Sequence, residues 1–563
     1  MNQIESRSTI ADAEALQPSQ PAIGRVVSVS GSCAIIQVLN PDASNVKKRA
    51  RSEVGTILKI QVPGGETIGI LSGLSIPVPS GDTTDTEIMI AELQLLGEFR
   101  RNDDGSMSEF VRGVTGYPSL GDSVFMTNRD ELLSIYDVSD DPSSLPIGTI
   151  HQDKTVKAHI NIDSMMSKHF AILGSTGSGK SCAASLFLNR IIDAHPNSHI
   201  VLLDPHNEYQ RAFSERAEVI SPEDLDLPYW LFNFEELCEV LIGQETTRDQ
   251  QIEILSDAVE TAKRTYSKAA SNKPGTVVRK AKSTFKSSTN SPTPYRLTDV
   301  ISRIDDIAGS LERSHDLIPC RRLKTRLETL TQDARYSFMA GGPVVLDTMA
   351  DIIGRLFRIP VNGKPITILD LSAVPTEILN TVVSVVCRMA FDFALWSKQS
   401  VPIALICEEA HRYLPNRTTG DFGPARRSIS RIAKEGRKYG VSLGIITQRP
   451  SELDPTILSQ MSSIFVMRMT NQRDQEYVKA TVSDSAMGLL EFLPTLGVGE
   501  AVAIGEAVSM PMRLFFDRLP DDQLPQSHSA SFSADSGGSS DTQAYLDEVI
   551  DRWRNQTRDK AAS

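Results

Sequence analysis

Eight residues, GSTGSGKS at Gly174–Ser181, constrain this chain more than any other stretch. They fit the spacing GxxxxGK[ST], follow the apolar run HFAIL and open a helical stretch that starts at Lys180. In that context glycines let successive backbone N–H groups curl round a phosphate, and the helix N-terminus adds its partial positive charge. Gly174, Ser175, Thr176, Gly177, Ser178 and Gly179 are therefore expected to form the cradle. Lys180 would reach the β and γ oxygens of a nucleotide, and Ser181 would ligate Mg²⁺. A strand that feeds such a loop and helix belongs in a mostly parallel, doubly wound sheet, and the rest of the chain has to supply its other strands.

It does so from His169 onward. HFAILG, HIVLLD, ITILDL, PIALIC, VSLGIIT, SIFVMRM and AVAIG alternate with helical sequence. Between about Phe234 and Gly341 this rhythm stops and charged helix-like sequence takes over, which predicts an inserted helical lobe at about 235–340. Ahead of the α/β part, residues 21–140 read as short strands with close turn signals, among them GRVVSVSGSCAIIQVL and VGTILKIQVPG, as in a small barrel or sandwich. Residues 1–20 are polar and predicted disordered, the α/β unit is placed at 150–520, and 521–563 reads as a Ser-rich linker ending in a short amphipathic helix. A length of 563 residues suits about three or four compact units.

The apolar strand ALIC stops at two adjacent carboxylates, Glu408 and Glu409. Nucleotide hydrolysis explains why both are needed: one carboxylate holds the metal shell and another polarises the attacking water. Neighbouring side chains on an extended strand point to opposite sides and can serve different atoms. Glu408 is expected at the metal and Glu409 as the base. Asp204, after HIVLL, would face the same crevice, and Thr447, Gln448 and Arg449 would end another strand where a polar group can sense the γ-phosphate. The helix PARRSISRIAKEGRKYG carries Arg426, Arg427, Arg431, Lys434, Arg437 and Lys438, any arginine of which could neutralise charge at a neighbour's nucleotide, provided that the chain forms a ring.

Composition supplies exclusions. The net charge of -13 argues against a protein that coats nucleic acid over its whole surface. Residues 261–290 nevertheless carry Lys263, Arg264, Lys268, Lys273, Arg279, Lys280, Lys282 and Lys286 without an acid, either a phosphate-contacting loop or a solvated excursion. The opening MNQIESRSTIADAEA has no basic and apolar leader, and no uninterrupted run of about 18 apolar residues offers a bilayer span, which predicts a cytoplasmic protein without membrane contact. Six scattered cysteines show no metal-ligand spacing and read as reduced structural thiols.

Taken together, GSTGSGKS, DPHNEY, ITILDLSAVP, ICEEAHRYLP and RIAKEGRKYGVSLGIITQRPSELDP resemble the HerA ATPases of the wider FtsK/HerA group. The resemblance implies a RecA-like P-loop ATPase core with a helical insertion, preceded by a small N-terminal β-barrel of the HAS type. It implies a homo-hexamer that uses ATP and Mg²⁺ to move double-stranded DNA, with a NurA-like nuclease or another effector as partner. Residue by residue it implies nucleotide and metal binding by Lys180 and Ser181, hydrolysis promoted by Glu409, nucleotide sensing by Gln448, a finger role for Arg437 and a phosphate contact for Lys168. Two other functions fit the same motifs: an ATPase scaffold that assembles a nuclease or anti-phage defence effector, and a conjugative-type DNA pump, which would normally need a membrane anchor that this sequence does not show.

Overall fold

The computed structural model describes residues 21–39, 53–76, 88–137, 141–221, 224–242, 246–271, 288–310, 317–333, 336–340, 345–416, 423–482, 486–526, 546–547 and 549–551. Two sheets organise them. The first contains β1 (Gly24–Ser30), β2 (Cys33–Val38), β3 (Ile57–Val62), β4 (Gly65–Ser75), β5 (Met89–Arg100), β6 (Val111–Arg112) and β7 (Ser123–Met126). Its order is β2-β1-β7-β3-β4-β5, with β6 added on β5, and β2 also pairs with β5. That last pairing closes the sheet, so of the barrel and the sandwich the chain forms the barrel. Alternating residues such as Val26, Ile36, Ile60 and Leu93 fill its interior, as the two-residue period of a strand requires.

The second sheet has β8 (Ser144–Ile150), β9 (Lys157–Asn161), β10 (His169–Leu173), β11 (Ile200–Asp204), β12 (Ala217–Ile220), β13 (Ile366–Asp370), β14 (Ile403–Cys407), β15 (Val441–Thr447), β16 (Met461–Met467), β17 (Glu500–Gly505) and β18 (Met512–Phe516). The order is β12-β13-β11-β14-β15-β10-β16-β17-β18-β8-β9. From β12 to β16 neighbours run parallel; from β16 to β9 they alternate. The central strands β10, β11 and β14 are buried at every position, which is why each reads as a continuous apolar run. Gly444 in β15 leaves room for Phe170 of β10: a Cβ there would lie 2.6 Å from the Phe170 ring.

Between β12 and β13 the chain passes through helices Phe234–Leu241, Arg248–Ser271, Leu297–Ser310 and Leu317–Gln332. Lys263 of the basic segment is not available to phosphate: it is 1% exposed, and its Nζ donates to the carbonyls of Thr289 (2.7 Å) and Ser291 (2.6 Å). Lys273, Arg279, Lys280, Lys282 and Lys286 lie outside the described residues. Helix Thr376–Trp396 is long and apolar enough over Ile378–Trp396 to cross a bilayer, although Arg388 and Asp392 interrupt it. Most of that stretch is buried, and the helix packs against helix Pro424–Tyr439, so its apolarity serves the core. The barrel is docked rather than tethered. Gln152 accepts from the Ile57 amide (2.7 Å), and Gly488 sits so close to Ser72 that a Cβ would fall 2.5 Å from it.

Candidate active site

Strand register decides which ends meet. Leu173 pairs with Thr447, Ile445 with Cys407, and Cys407 with Leu203, so β10, β15, β14 and β11 finish along one edge of the sheet. The phosphate loop follows β10 there, Glu408 and Glu409 follow β14, Asp204 closes β11, and Thr447 and Gln448 close β15 between loop and carboxylates. This is the crevice at the carboxyl ends of strands where α/β sheets bind ligands.

The loop is held from behind. The Ser175 amide and hydroxyl both donate to the Arg468 carbonyl (2.9 Å each), and the Gly499 amide donates to the Ser178 carbonyl (3.1 Å). Gly177 (φ 74°) and Gly179 (φ 103°) adopt backbone that side-chain-bearing residues avoid, and Gly179 caps helix Lys180–Ala194. Lys180 is 7% exposed and its Nζ donates to the Ser175 carbonyl (3.2 Å). Burial pushes its pKa down, against the opposing pull of Glu408, Glu409 and Glu208. The Ser178 hydroxyl is buried without a hydrogen-bond partner, consistent with a loop shaped for a ligand.

The two adjacent glutamates differ in environment. Glu408 is 3% exposed; burial first, then the charge of Glu409, pushes its pKa well up, although the Tyr209 hydroxyl donates to it at 2.9 Å. Glu409 sits in the left-handed region (φ 47°), which turns it away from its neighbour. Burial alone would raise its pKa, but His411 Nδ1 at 3.2 Å, with Lys180 and His206, holds it below the usual carboxylate range. The same His411 nitrogen lies 3.1 Å from the Thr447 hydroxyl. Of the two carboxylates, Glu409 is therefore the one whose surroundings favour the ionised form. Gln448 reaches the loop itself, its side-chain oxygen accepting from the Thr176 hydroxyl.

Other expected residues lie elsewhere or act differently. Asp204 is fully buried, and its oxygens accept from the amides of His206 (3.2 Å) and Tyr209 (3.1 Å). Burial pushes its pKa up to about 6, and its observed contacts position the turn 205–209. Lys168 is a correction. It precedes β10 at the opposite edge, roughly 20 Å of extended chain from Gly174, and pairs with Glu506; it cannot touch phosphate on its own loop. Arg437 also lies at that far edge, beside the start of β15, in a cleft of about 760 Å³ that includes His195 and Ala404. Arg426, Arg427 and Arg431 of the same helix are paired with Asp454 (2.5 Å), Glu235 (3.4 Å) and Asp392 (3.6 Å), whereas Arg437 is exposed.

Three participants escaped the sequence reading. Glu208 accepts from the Ser181 hydroxyl at 2.9 Å, Tyr209 holds Glu408, and His411 faces Glu409. The quoted segments DPHNEY and CEEAH contain all three, but only the turns that follow the strand ends bring them to the loop.

A phosphate cradle on β10, an acidic pair on β14 and a polar strand end between them define a P-loop ATPase with a RecA-like core. Residues 145–390 match the family model described as the central domain of the helicase HerA. It is 27% identical over 457 residues to the DNA double-strand break repair helicase HerA of Pyrococcus furiosus, covering 76% of this chain and 77% of that one. To the probable DNA double-strand break repair helicase HerA of Methanocaldococcus jannaschii it is 25% identical over 499 residues, with 82% and 90% covered. Among solved structures, VirB4 of Thermoanaerobacter pseudethanolicus superposes with a TM-score of 0.46 at 15% identity, over 68% of this chain and 98% of that chain.

Proposed function

We propose that this enzyme is an ATP-driven translocase or helicase acting on double-stranded DNA as a homo-hexamer, in the processing or repair of DNA ends alongside a nuclease of the NurA kind. The observation that carries the reading is the convergence of Lys180, Glu408, Glu409 and Gln448 on one crevice. The names of the curated relatives support the choice of DNA as substrate.

Lys180 and the loop amides bind the phosphates. Glu409, kept ionised by His411, takes the proton of the attacking water, and Gln448, in contact with Thr176, is placed to register the γ-phosphate. The hard oxygens of Ser181 and Glu408 suit Mg²⁺, which takes few protein ligands and fills its shell with phosphate and water. Among the described residues no group of three or more His, Cys, Asp or Glu could hold an ion by itself. When bound there, the ion would offset negative charge on the phosphates. Arg437, at the far edge from its own loop, could serve as a finger only on a neighbouring subunit's nucleotide, which fits a ring.

Steady-state ATPase with and without linear double-stranded DNA, together with solution mass, tests the reading. A hexamer-sized particle with strongly stimulated turnover is expected. A ring whose turnover ignores DNA would replace the translocase with an effector-assembling ATPase.

A further inference from the structure

A turn just ahead of β17 backs the phosphate loop. Gly497, Val498 and Gly499 bury no side chain there, for two are glycines and Val498 is 69% exposed. Hydrogen bonds therefore set the shape of the turn, and Glu500 supplies the lock. That residue is 3% exposed; its Oε2 accepts from the Gly497 amide (2.8 Å) and its Oε1 from Arg513 Nε of β18 (2.5 Å). His151 Nδ1 lies 3.2 Å from the same Oε1. Burial alone would raise the Glu500 pKa, but Arg513, the Gly497 amide and His151 hold it below the usual carboxylate range, so the lock is a charged one.

Gly499, at φ 74°, donates its amide to the Ser178 carbonyl (3.1 Å) and accepts from the Phe516 amide (2.9 Å). Its backbone passes close to the loop: a Cβ on Gly179 would lie 3.6 Å from the Gly499 nitrogen. The Ser178 carbonyl and the Gly179 N–H belong to one trans peptide plane and point to opposite sides of it. Holding that carbonyl from behind consequently aims the Gly179 N–H forward. It then faces the cradle at the start of helix Lys180–Ala194, where free N–H groups bind anions.

We propose that Glu500 is a positioning residue for phosphate binding: it fixes the 497–499 turn, and through the Gly499–Ser178 bond the turn sets the direction of the Gly179 amide. This rests on the phosphate loop being a nucleoside triphosphate site. Glu500 acts through the backbone and not on the attacking water. It therefore governs how tightly the phosphates are held and not how fast they react once bound.

Steady-state kinetics with Mg²⁺–ATP and calorimetric titration with inorganic tripolyphosphate, both on the full chain, test this. Glu500→Gln keeps the size of the side chain, but half of an amide is a donor, so it cannot accept from both Gly497 and Arg513. The KM for ATP is expected to rise about tenfold with kcat at saturation kept within about twofold, and tripolyphosphate binding to weaken by the same factor. A merely structural role would lower turnover per mole of chain through lost folded protein, leaving KM and tripolyphosphate affinity unmoved, and that pattern overturns the proposal. Arg513→Lys keeps a cation beside Glu500 while removing the Nε contact, and is expected to shift both quantities the same way by about threefold. If Glu500→Gln does not fold, Arg513→Lys decides, and unchanged values overturn the proposal. A wild-type protein that binds neither ATP nor tripolyphosphate overturns the phosphate-loop reading on which the proposal stands.

Discussion

Arg388→Met should loosen the helical insertion from the α/β core. Glu236 is fully buried and accepts from Arg388 Nε (3.1 Å to each oxygen) and Nη2 (2.9 Å), from the Ser384 hydroxyl (2.8 Å) and from the Asn233 amide (2.9 Å). Arg388 also donates to the Leu231 carbonyl (2.6 Å), and Ser384 lies 2.9 Å from Ser428 on the basic helix. One buried pair therefore joins the first insertion helix to two core helices. Removing the guanidinium strips three charge-assisted bonds and leaves a carboxylate in the interior with only neutral donors, a cost of about 3–5 kcal/mol. Glu236→Met should cost less, about 1–3 kcal/mol, because it removes a helix cap and leaves an arginine that still has Asp392 at 3.5 Å. The double variant should cost no more than the worse single one, a coupling at least as large as the smaller single effect, so at least about 1 kcal/mol. Hydrogen exchange at the amides of Phe234–Leu241 reads the local opening free energy. Additive effects within about 0.5 kcal/mol would show that the two residues do not act as a unit and would refute the reasoning.

Glu409→Gln keeps the shape of the site and removes its proton acceptor, so phosphate release should fall about 10²–10⁴-fold with nucleotide binding retained; undiminished turnover would remove the base assignment. Mixed with Arg437→Ala subunits, it should recover turnover in heterogeneous rings if Arg437 acts across an interface, and no recovery would count against that role. Lys263 is held down to about 8 by burial, whereas the unfolded chain binds that proton up to about 10.4, so the unfolded state holds the extra proton between these values. Wild-type stability should therefore rise relative to Lys263→Met as pH increases through that window, by at most roughly 3 kcal/mol, and stay level below it. A pH-independent difference in chemical denaturation would contradict the buried-ammonium account.

What the sequence determined by itself is what adjacent residues determine together. The phosphate loop was legible because strand, glycines and lysine are contiguous, and the acidic pair because an apolar run ends on it. The strands of the parallel core were legible because burial on both faces demands unbroken apolar stretches. The antiparallel extension through β17, β18, β8 and β9 was less so, since pairing between segments so distant in the chain leaves no local pattern. Tertiary structure alone decided which ends of the strands carry chemistry in one subunit: register puts Gln448 on the loop and sends Lys168 and Arg437 to the opposite edge. It also turned Lys263 from a candidate phosphate contact into an interior strut, because exposure is a property of the packed neighbours and not of the charge run. Glu208, Tyr209 and His411 belong to the site only because the turns after β11 and β14 fold back over the loop. The segment 517–526 is the furthest such case, for nothing local in RLPDDQLPQ says that it lies across a helix more than 300 residues away in sequence.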